Sequence, residues 1–170
     1  MKTLDKILNI KYPLLLSPMF MVTNEKMVKA AIDAGATGAL VAHNYRTSDE
    51  LRNAILELKG QNIRPFGVNL TLDFGNELFH SNLEVCISEK VDFIITSLGD
   101  PKQVIDQCKP NGIKVFCDIV NERHAQKAVE RGADALIAVN KFAGGHAGSY
   151  SAEELIPTLK HRFDIPVISA

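Results

Sequence analysis

Residue type and spacing first point to chemistry in the segment Ala143-Gly144-Gly145-His146-Ala147-Gly148. Two adjacent glycines let a backbone approach a flat or phosphorylated ligand with no Cβ in the way. A histidine directly after them brings an imidazole, a group that titrates near neutrality and can take a proton from a carbon acid and return it. The same residues also read as a flexible turn carrying a solvated histidine, because glycine-rich loops of this size are common. The cysteines, Cys86, Cys108 and Cys117, show neither CxxC nor metal-ligand spacing, so no metal is expected and buried free thiols are the reading.

The elements that must position this loop alternate from end to end. Apolar, strand-like runs occupy residues 12–19, 38–43, 65–70, 92–97, 113–119, 135–140 and 165–170. Between them lie helical stretches near 24–34, 48–59, 76–90, from Pro101, 121–131 and from Ser151. The runs are nearly continuous in Val, Ile, Leu and Ala, which is how parallel strands buried on both faces read. Gly35, Gly112 and Gly132 stand where helix ends and short connections belong, and Ser151-x-x-Glu154 is a capping box that opens the last helix. The fold class is therefore α/β.

An open, dinucleotide-binding sheet would place a G-x-G-x-x-G turn after its first strand. That position carries Ser17-Pro18-Met19-Phe20-Met21 instead, and the glycine-rich turn follows the sixth run. Late glycine-rich loops suit a (β/α)8 barrel, whose catalytic face is the C-terminal end of its strands. The informative residues are then those just past the strand ends. They are Pro18 and Met19, His43 and Asn44, Asn69, Ser97, Asp118, and residues 140–150.

Nineteen basic against twenty acidic side chains leave a net charge of −1 over 170 residues. That balance gives phosphate-backbone binding no electrostatic support, so no nucleic-acid partner is expected. No apolar run approaches the roughly 18 residues that a membrane span needs, and no signal-peptide core follows the charged N-terminus. A reduced, cytoplasmic setting and a small-molecule substrate are the expectation.

Tyr12-Pro13, Ser17-Pro18-Met19, Pro65-Phe66-Gly67-Val68-Asn69, Gly132-Ala133-Asp134-Ala135, the Gly144-Gly145-His146 loop and Ile165-Pro166-Val167-Ile168 occur in that order. Together they resemble the nitronate monooxygenase family, formerly 2-nitropropane dioxygenases, which includes flavin-type enoyl-acyl-carrier-protein reductases and quinone reductases. The resemblance implies an FMN-dependent TIM barrel. In it, Pro18 and Met19 would lie against the flavin ring and Asn69 would hydrogen-bond it. Gly144 and Gly145 would line the cofactor side of the loop, and His146 would face the substrate. In the monooxygenase branch that histidine deprotonates a nitroalkane, and flavin and oxygen complete its oxidation to a carbonyl compound and nitrite. In the reductase branches NAD(P)H is the electron donor. Asp118 and Asn140-Lys141-Phe142 depart from the family pattern, with Asp118 expected to face a loop or bind a cation.

A full barrel needs about 250 residues. The expectation is accordingly a single domain over residues 1–170 forming the N-terminal part of a barrel that lacks its eighth strand and last two helices. Two long apolar edges would then be open, available to a second copy of the chain. A non-catalytic barrel fragment unable to hold FMN alone is the competing expectation.

Overall fold

The computed structural model describes residues 3–170. Among these residues, seven strands form one sheet in the order β1 to β7: Leu15–Leu16, Thr37–Val41, Phe66–Thr71, Phe93–Ser97, Lys114–Ile119, Ala135–Ala138 and Val167–Ser169. Each strand pairs in parallel with its sequence neighbour. Helices α2 to α7 (Glu25–Asp33, Ser48–Gly60, Glu77–Ser88, Lys102–Cys108, Glu122–Arg131 and Ala152–Arg162) fill the crossovers. This is the βα succession of a TIM-barrel wall, as the apolar runs imply.

The helices begin where short polar side chains occupy their first free N–H groups. Asn24, Thr47, Asn76 and Asn121 each accept from a backbone N–H two or three residues on, and Ser151 with Glu154 completes the reciprocal capping box. Two aspartates do the same for the sheet. Asp92, just before β4, accepts from the Phe66 N–H of β3 at 3.0 Å, and Asp134, just before β6, accepts from the Val115 N–H of β5 at 2.8 Å. These bonds satisfy donors at the strand starts that no neighbouring strand reaches.

Successive side chains on a strand point to opposite faces, and here both faces are buried. The outward set, with Val68, Ile94, Val115 and Leu136, packs against the helices in the larger apolar cluster. The inward set is smaller: Ala39, Phe93, Ile95, Phe116, Ala135 and Ile137, with Leu4 and Leu8. Phe93 and Phe116 stack with centroids 4.8 Å apart and planes 18° from parallel. Gly67 makes room for them, since a Cβ there would stand 2.3 Å from the Phe93 ring and 2.7 Å from the Phe93 carbonyl oxygen.

Two expectations change. Leu4–Leu8 forms a short helix, α1, that the apolar runs did not announce; it packs Leu4 and Leu8 beside the phenylalanines at the N-terminal end of the strands. The edges are short rather than long, because the 12–19 run contributes two paired residues and the 165–170 run three. Pro13 and Pro18 have no N–H for a ladder, which confines β1 to the residues between them. Among the described residues no helix is long and apolar enough to cross a membrane.

Gly67→Ala should destabilise the protein by about 3 kcal/mol, the upper range for overpacking, because the Phe93 backbone cannot retreat with its ring. Urea unfolding of the two proteins measures this, and an unchanged midpoint would contradict the packing account.

Candidate active site at the C-terminal ends of the strands

The inward face changes character toward the C-terminal ends of the strands. Above the apolar layer of Phe93, Ile95 and Phe116 stand Asn69 on β3, Ser97 on β4 and Asp118 on β5. They form one hydrogen-bonded line across three strands. Asn69 Nδ2 donates to Ser97 Oγ at 2.8 Å and to the Ile95 carbonyl at 3.3 Å, and Ser97 Oγ donates to Asp118 Oδ2 at 2.6 Å. Burial pushes the Asp118 carboxyl up to about 6, opposed by the bond from Ser97. Asp118 thus anchors Ser97.

Pro18 and Met19 lie in the β1–α2 loop, which is closed on itself. Thr23 Oγ1 accepts from the Met19 N–H and donates to the Ser17 carbonyl, both at 2.9 Å. Asn44 ties the loop to the end of β2, its Oδ1 accepting from the Met21 N–H at 2.8 Å and its Nδ2 donating to the Thr23 carbonyl at 3.0 Å. With its N–H committed, Met19 can offer a ligand apolar contact but no backbone donor. Met19, Phe20, Met21 and Val22 are all exposed. His43, beside Asn44, is exposed too.

Asn140 organises the loop that carries His146. It is buried, its Oδ1 accepts from the Phe142 N–H at 2.8 Å, and its carbonyl accepts from Ala143 and Gly148, each at 3.2 Å. Its Nδ2 donates to the Ala170 carbonyl, fastening the loop to the end of β7. Gly148 is required by packing, since a Cβ would meet the Val139 carbonyl oxygen at 2.3 Å. Gly144 and Gly145 differ. Nothing lies within 4 Å of a Cβ at either, and only Gly145 has a left-handed φ, +76°. Packing among the described residues does not require glycine at position 144, and its bare backbone is open to close approach. His146 is exposed and carries no hydrogen bond among the described residues.

All six residues expected from sequence (Pro18, Met19, Asn69, Gly144, Gly145 and His146) thus stand on C-terminal loops or strand ends, at one end of the sheet. The structure links none of them directly to another. What sequence reasoning missed is that Thr23, Asn44, Ser97 and Asn140 hold them in place. Ser97, Asn44 and Asp118 were visible as strand-end polar residues. That Asn69, Ser97 and Asp118 share the inward parity of their strands was the available signal for the line they form.

A cavity of about 1010 Å³ lies beside this line of residues. It runs from Leu98 and Gly99 along α6 to Glu130 and reaches the strand ends at Thr96, Cys117, Asp118 and Ile119. Charged side chains of α6, among them Glu122, Arg123, Lys127 and Glu130, share its walls with apolar residues such as Leu98, Pro101 and Ile119, and His146 is not part of its lining. The thiols of Cys108 and Cys117 are buried, which pushes them up to about 12 and about 11 and leaves them protonated and inert.

The residues present fit the ring part of a flavin. An imide edge needs hydrogen-bonding partners and a flat ring needs unobstructed apolar faces. Asn69 Oδ1 has no protein partner among the described residues, the Gly144–Gly145 backbone is bare, and Pro18 with Met19 offers apolar surface.

Comparison with known proteins gives the site a context. The family profile described as nitronate monooxygenase matches residues 1–81 and 73–170. A (3aS,4S,5R,7aS)-5-hydroxy-7a-methyl-1-oxo-octahydro-1H-indene-4-carboxyl-CoA dehydrogenase of Mycobacterium tuberculosis is 32% identical, covering 98% of this chain and 47% of the relative. A probable nitronate monooxygenase of Staphylococcus saprophyticus is 25% identical, covering 96% and 59%. The solved structure of FabK from Thermotoga maritima superposes with a TM-score of 0.90 at 31% identity, covering 99% of this chain and 54% of that one. The chain spans about half the length of the curated dehydrogenases it matches.

Asp118 carries a prediction. Its carboxyl holds a proton in the folded state between the ordinary value of 3.8 and about 6, where the unfolded chain has released it. Stability therefore falls as pH rises through that window and stays lower above it. Asp118→Asn, neutral and still able to accept from Ser97, should gain on the order of 2 kcal/mol relative to wild type at neutral pH and nothing near pH 4. Denaturant unfolding at the two pH values checks it; an equal difference at both would contradict the burial account.

Proposed function

The chain belongs to the nitronate monooxygenase family, and from that premise we propose that it carries the flavin-ring and base-bearing part of an FMN-dependent oxidoreductase. The observation that carries this reading is the Gly144-Gly145-His146 turn. Gly144 is bare where nothing in the fold demands it, Gly145 turns the chain at a left-handed φ with open space beside it, and the imidazole stands free at the strand-end face. Asn69 would meet the imide edge of the ring, with Pro18, Met19, Gly144 and Gly145 in apolar and backbone contact. Bound FMN would supply the electron acceptor, recharged by oxygen or fed by NAD(P)H according to the branch.

The work left to this chain's own residues is proton transfer and orientation. A neutral His146 accepts the proton of a carbon acid, and the Asn140 clasp holds the loop that presents it. A nitroalkane is such an acid, because the nitro group takes up the charge left on carbon. Oxidation of the resulting nitronate to a carbonyl compound and nitrite is the leading reading.

A second reading, dehydrogenation of an apolar ring acyl-CoA, draws on the higher identity to the Mycobacterium tuberculosis dehydrogenase, 32% against 25%. It also suits the exposed apolar side chains of Phe20, Met21, Phe142 and Tyr150 at this face. It asks the same of His146, since the carbon beside a thioester carbonyl is also a carbon acid. The FabK likeness, at 31% identity, supports NAD(P)H-dependent reduction on the same scaffold.

The visible spectrum after FMN addition tests the cofactor; absence of flavin bands ends the reading. Oxygen uptake with a nitronate, turnover of a ring acyl-CoA with an artificial acceptor, and anaerobic bleaching by NADPH then separate the branches. His146→Ala should leave the flavin bands unchanged and lower turnover of a neutral nitroalkane by about 10²–10⁴-fold, the span of general-base contributions. Preformed nitronate, already deprotonated, should be oxidised at close to the wild-type rate. Equal losses on both would show that His146 is not the base.

A further inference from the structure

We propose that Ser97 and Asp118 are positioning residues for Asn69, with the protonation state of Asp118 deciding whether Asn69 presents its carbonyl oxygen or its amide to the strand-end face. Only the identity of the ligand that would read this difference, the imide edge of a flavin, rests on the functional reading above.

The argument is one of proton counting. A serine hydroxyl has a single proton, and at 2.6 Å from Asp118 Oδ2 that proton is committed to the carboxylate, a distance in the charge-assisted range. The Ser97 oxygen then has only lone pairs for Asn69. The carboxamide must turn its NH₂ toward Ser97 and the Ile95 carbonyl, as it does at 2.8 and 3.3 Å, and its Oδ1 away from them. Every donor in the line points toward Asp118.

A protonated Asp118 reverses this order. Its own hydroxyl donates to Ser97 Oγ, the serine proton is released toward Asn69, and the carboxamide turns over to accept with Oδ1. Its NH₂ then faces outward, at the cost of the contact with Ile95. The Ser97 and Asp118 oxygens keep their places, the Asn69 oxygen and nitrogen exchange theirs, and the bonds along the line reverse direction. The partner that Asn69 would accept changes with it, from an N–H donor to a carbonyl.

The surroundings leave Asp118 as the group that decides. Its neighbours across from β5, Ile137 on β6 and Val139 just beyond that strand, are apolar. Cys117 is held protonated by burial and points to the opposite face. Asp100 of the β4–α5 loop, Glu122, Arg123, His124 and Lys127 of α6, and Arg162 of α7 line the same groove. Asp100 is paired with Lys127 and Arg131, and Glu122 with Arg162. Arg123 and His124 are exposed. With the carboxyl titrating at about 6, both states of the line are reached near neutral pH.

The test is side-chain amide NMR of the isotope-labelled protein without flavin, followed between about pH 4.5 and 8 alongside the Asp118 carboxyl carbon. The Asn69 NH₂ resonances, assigned by their loss in Asn69→Ser, should move with the same midpoint as the Asp118 carbon. Ser97→Ala should uncouple the two while Asp118 still titrates, and Ser97→Thr, which keeps the hydroxyl, should restore the coupling. Asn69 signals that stay put while Asp118 titrates in the wild-type protein would overturn the proposal, as would an Asp118 that does not titrate in this range. FMN affinity from fluorescence quenching should change by about tenfold across the same midpoint in wild type and not in Ser97→Ala, the weight of one hydrogen bond exchanged for a mismatch. If no FMN binds at any pH, the functional reading fails while the amide titration still decides the Asn69 line.

Discussion

A parallel sheet covered on both faces divides the residues of every strand into two populations, and the rest of this structure follows from that division. The outward population meets helices and needs only apolar bulk, which Val68, Ile94, Val115 and Leu136 supply. The inward population shares a much narrower space with residues from every other strand. There the stacked rings of Phe93 and Phe116 are tolerated because Gly67 has no side chain and Ala39 and Ala135 have small ones. Toward the C-terminal ends the interior opens, polar groups become affordable, and Asn69, Ser97 and Asp118 take the inward positions. The chemistry-bearing face begins where the apolar stack stops.

Polar groups at that boundary are held by one another. Asp118 is mostly buried, and its charge is disfavoured there, yet Ser97 donates to it and in turn fixes Asn69. Thr23 and Asn44 close the β1–α2 loop, and Asn140 closes the loop of His146. Each of these supports leaves part of its neighbour free: Oδ1 of Asn69, the apolar surface of Met19, the imidazole of His146. A cofactor ring and a substrate would therefore meet groups whose orientations are set before binding, which reduces the ordering cost of binding.

Much of this was legible along the chain. The continuous apolar runs announced parallel strands, and Asn24, Asn121 and Ser151 marked helix starts because a short polar side chain there completes the backbone hydrogen bonding locally. The Gly144-Gly145-His146 loop could be placed at the C-terminal end of a strand from order alone. Other features were out of reach. Helix α1 is five residues long, too short for a periodicity to register, and it exists because Leu4 and Leu8 cover the Phe93–Phe116 stack. The first and last strands shrink to two and three residues because pairing depends on how far a neighbour extends, which no local pattern encodes.

The sequence by itself determined the α/β class, the order of the elements, the family and the position of the candidate base, since each rests on local patterning or on residues adjacent in the chain. The tertiary structure alone decided which polar residues act together. Asn69, Ser97 and Asp118 are separated by 28 and 21 positions and meet only because parallel crossovers bring successive strands side by side at one register. It also decided which glycines packing requires, Gly67 and Gly148, and which stand in open space, Gly144 and Gly145. A glycine's neighbours are set by distance in space, and on that the linear order of residues is silent.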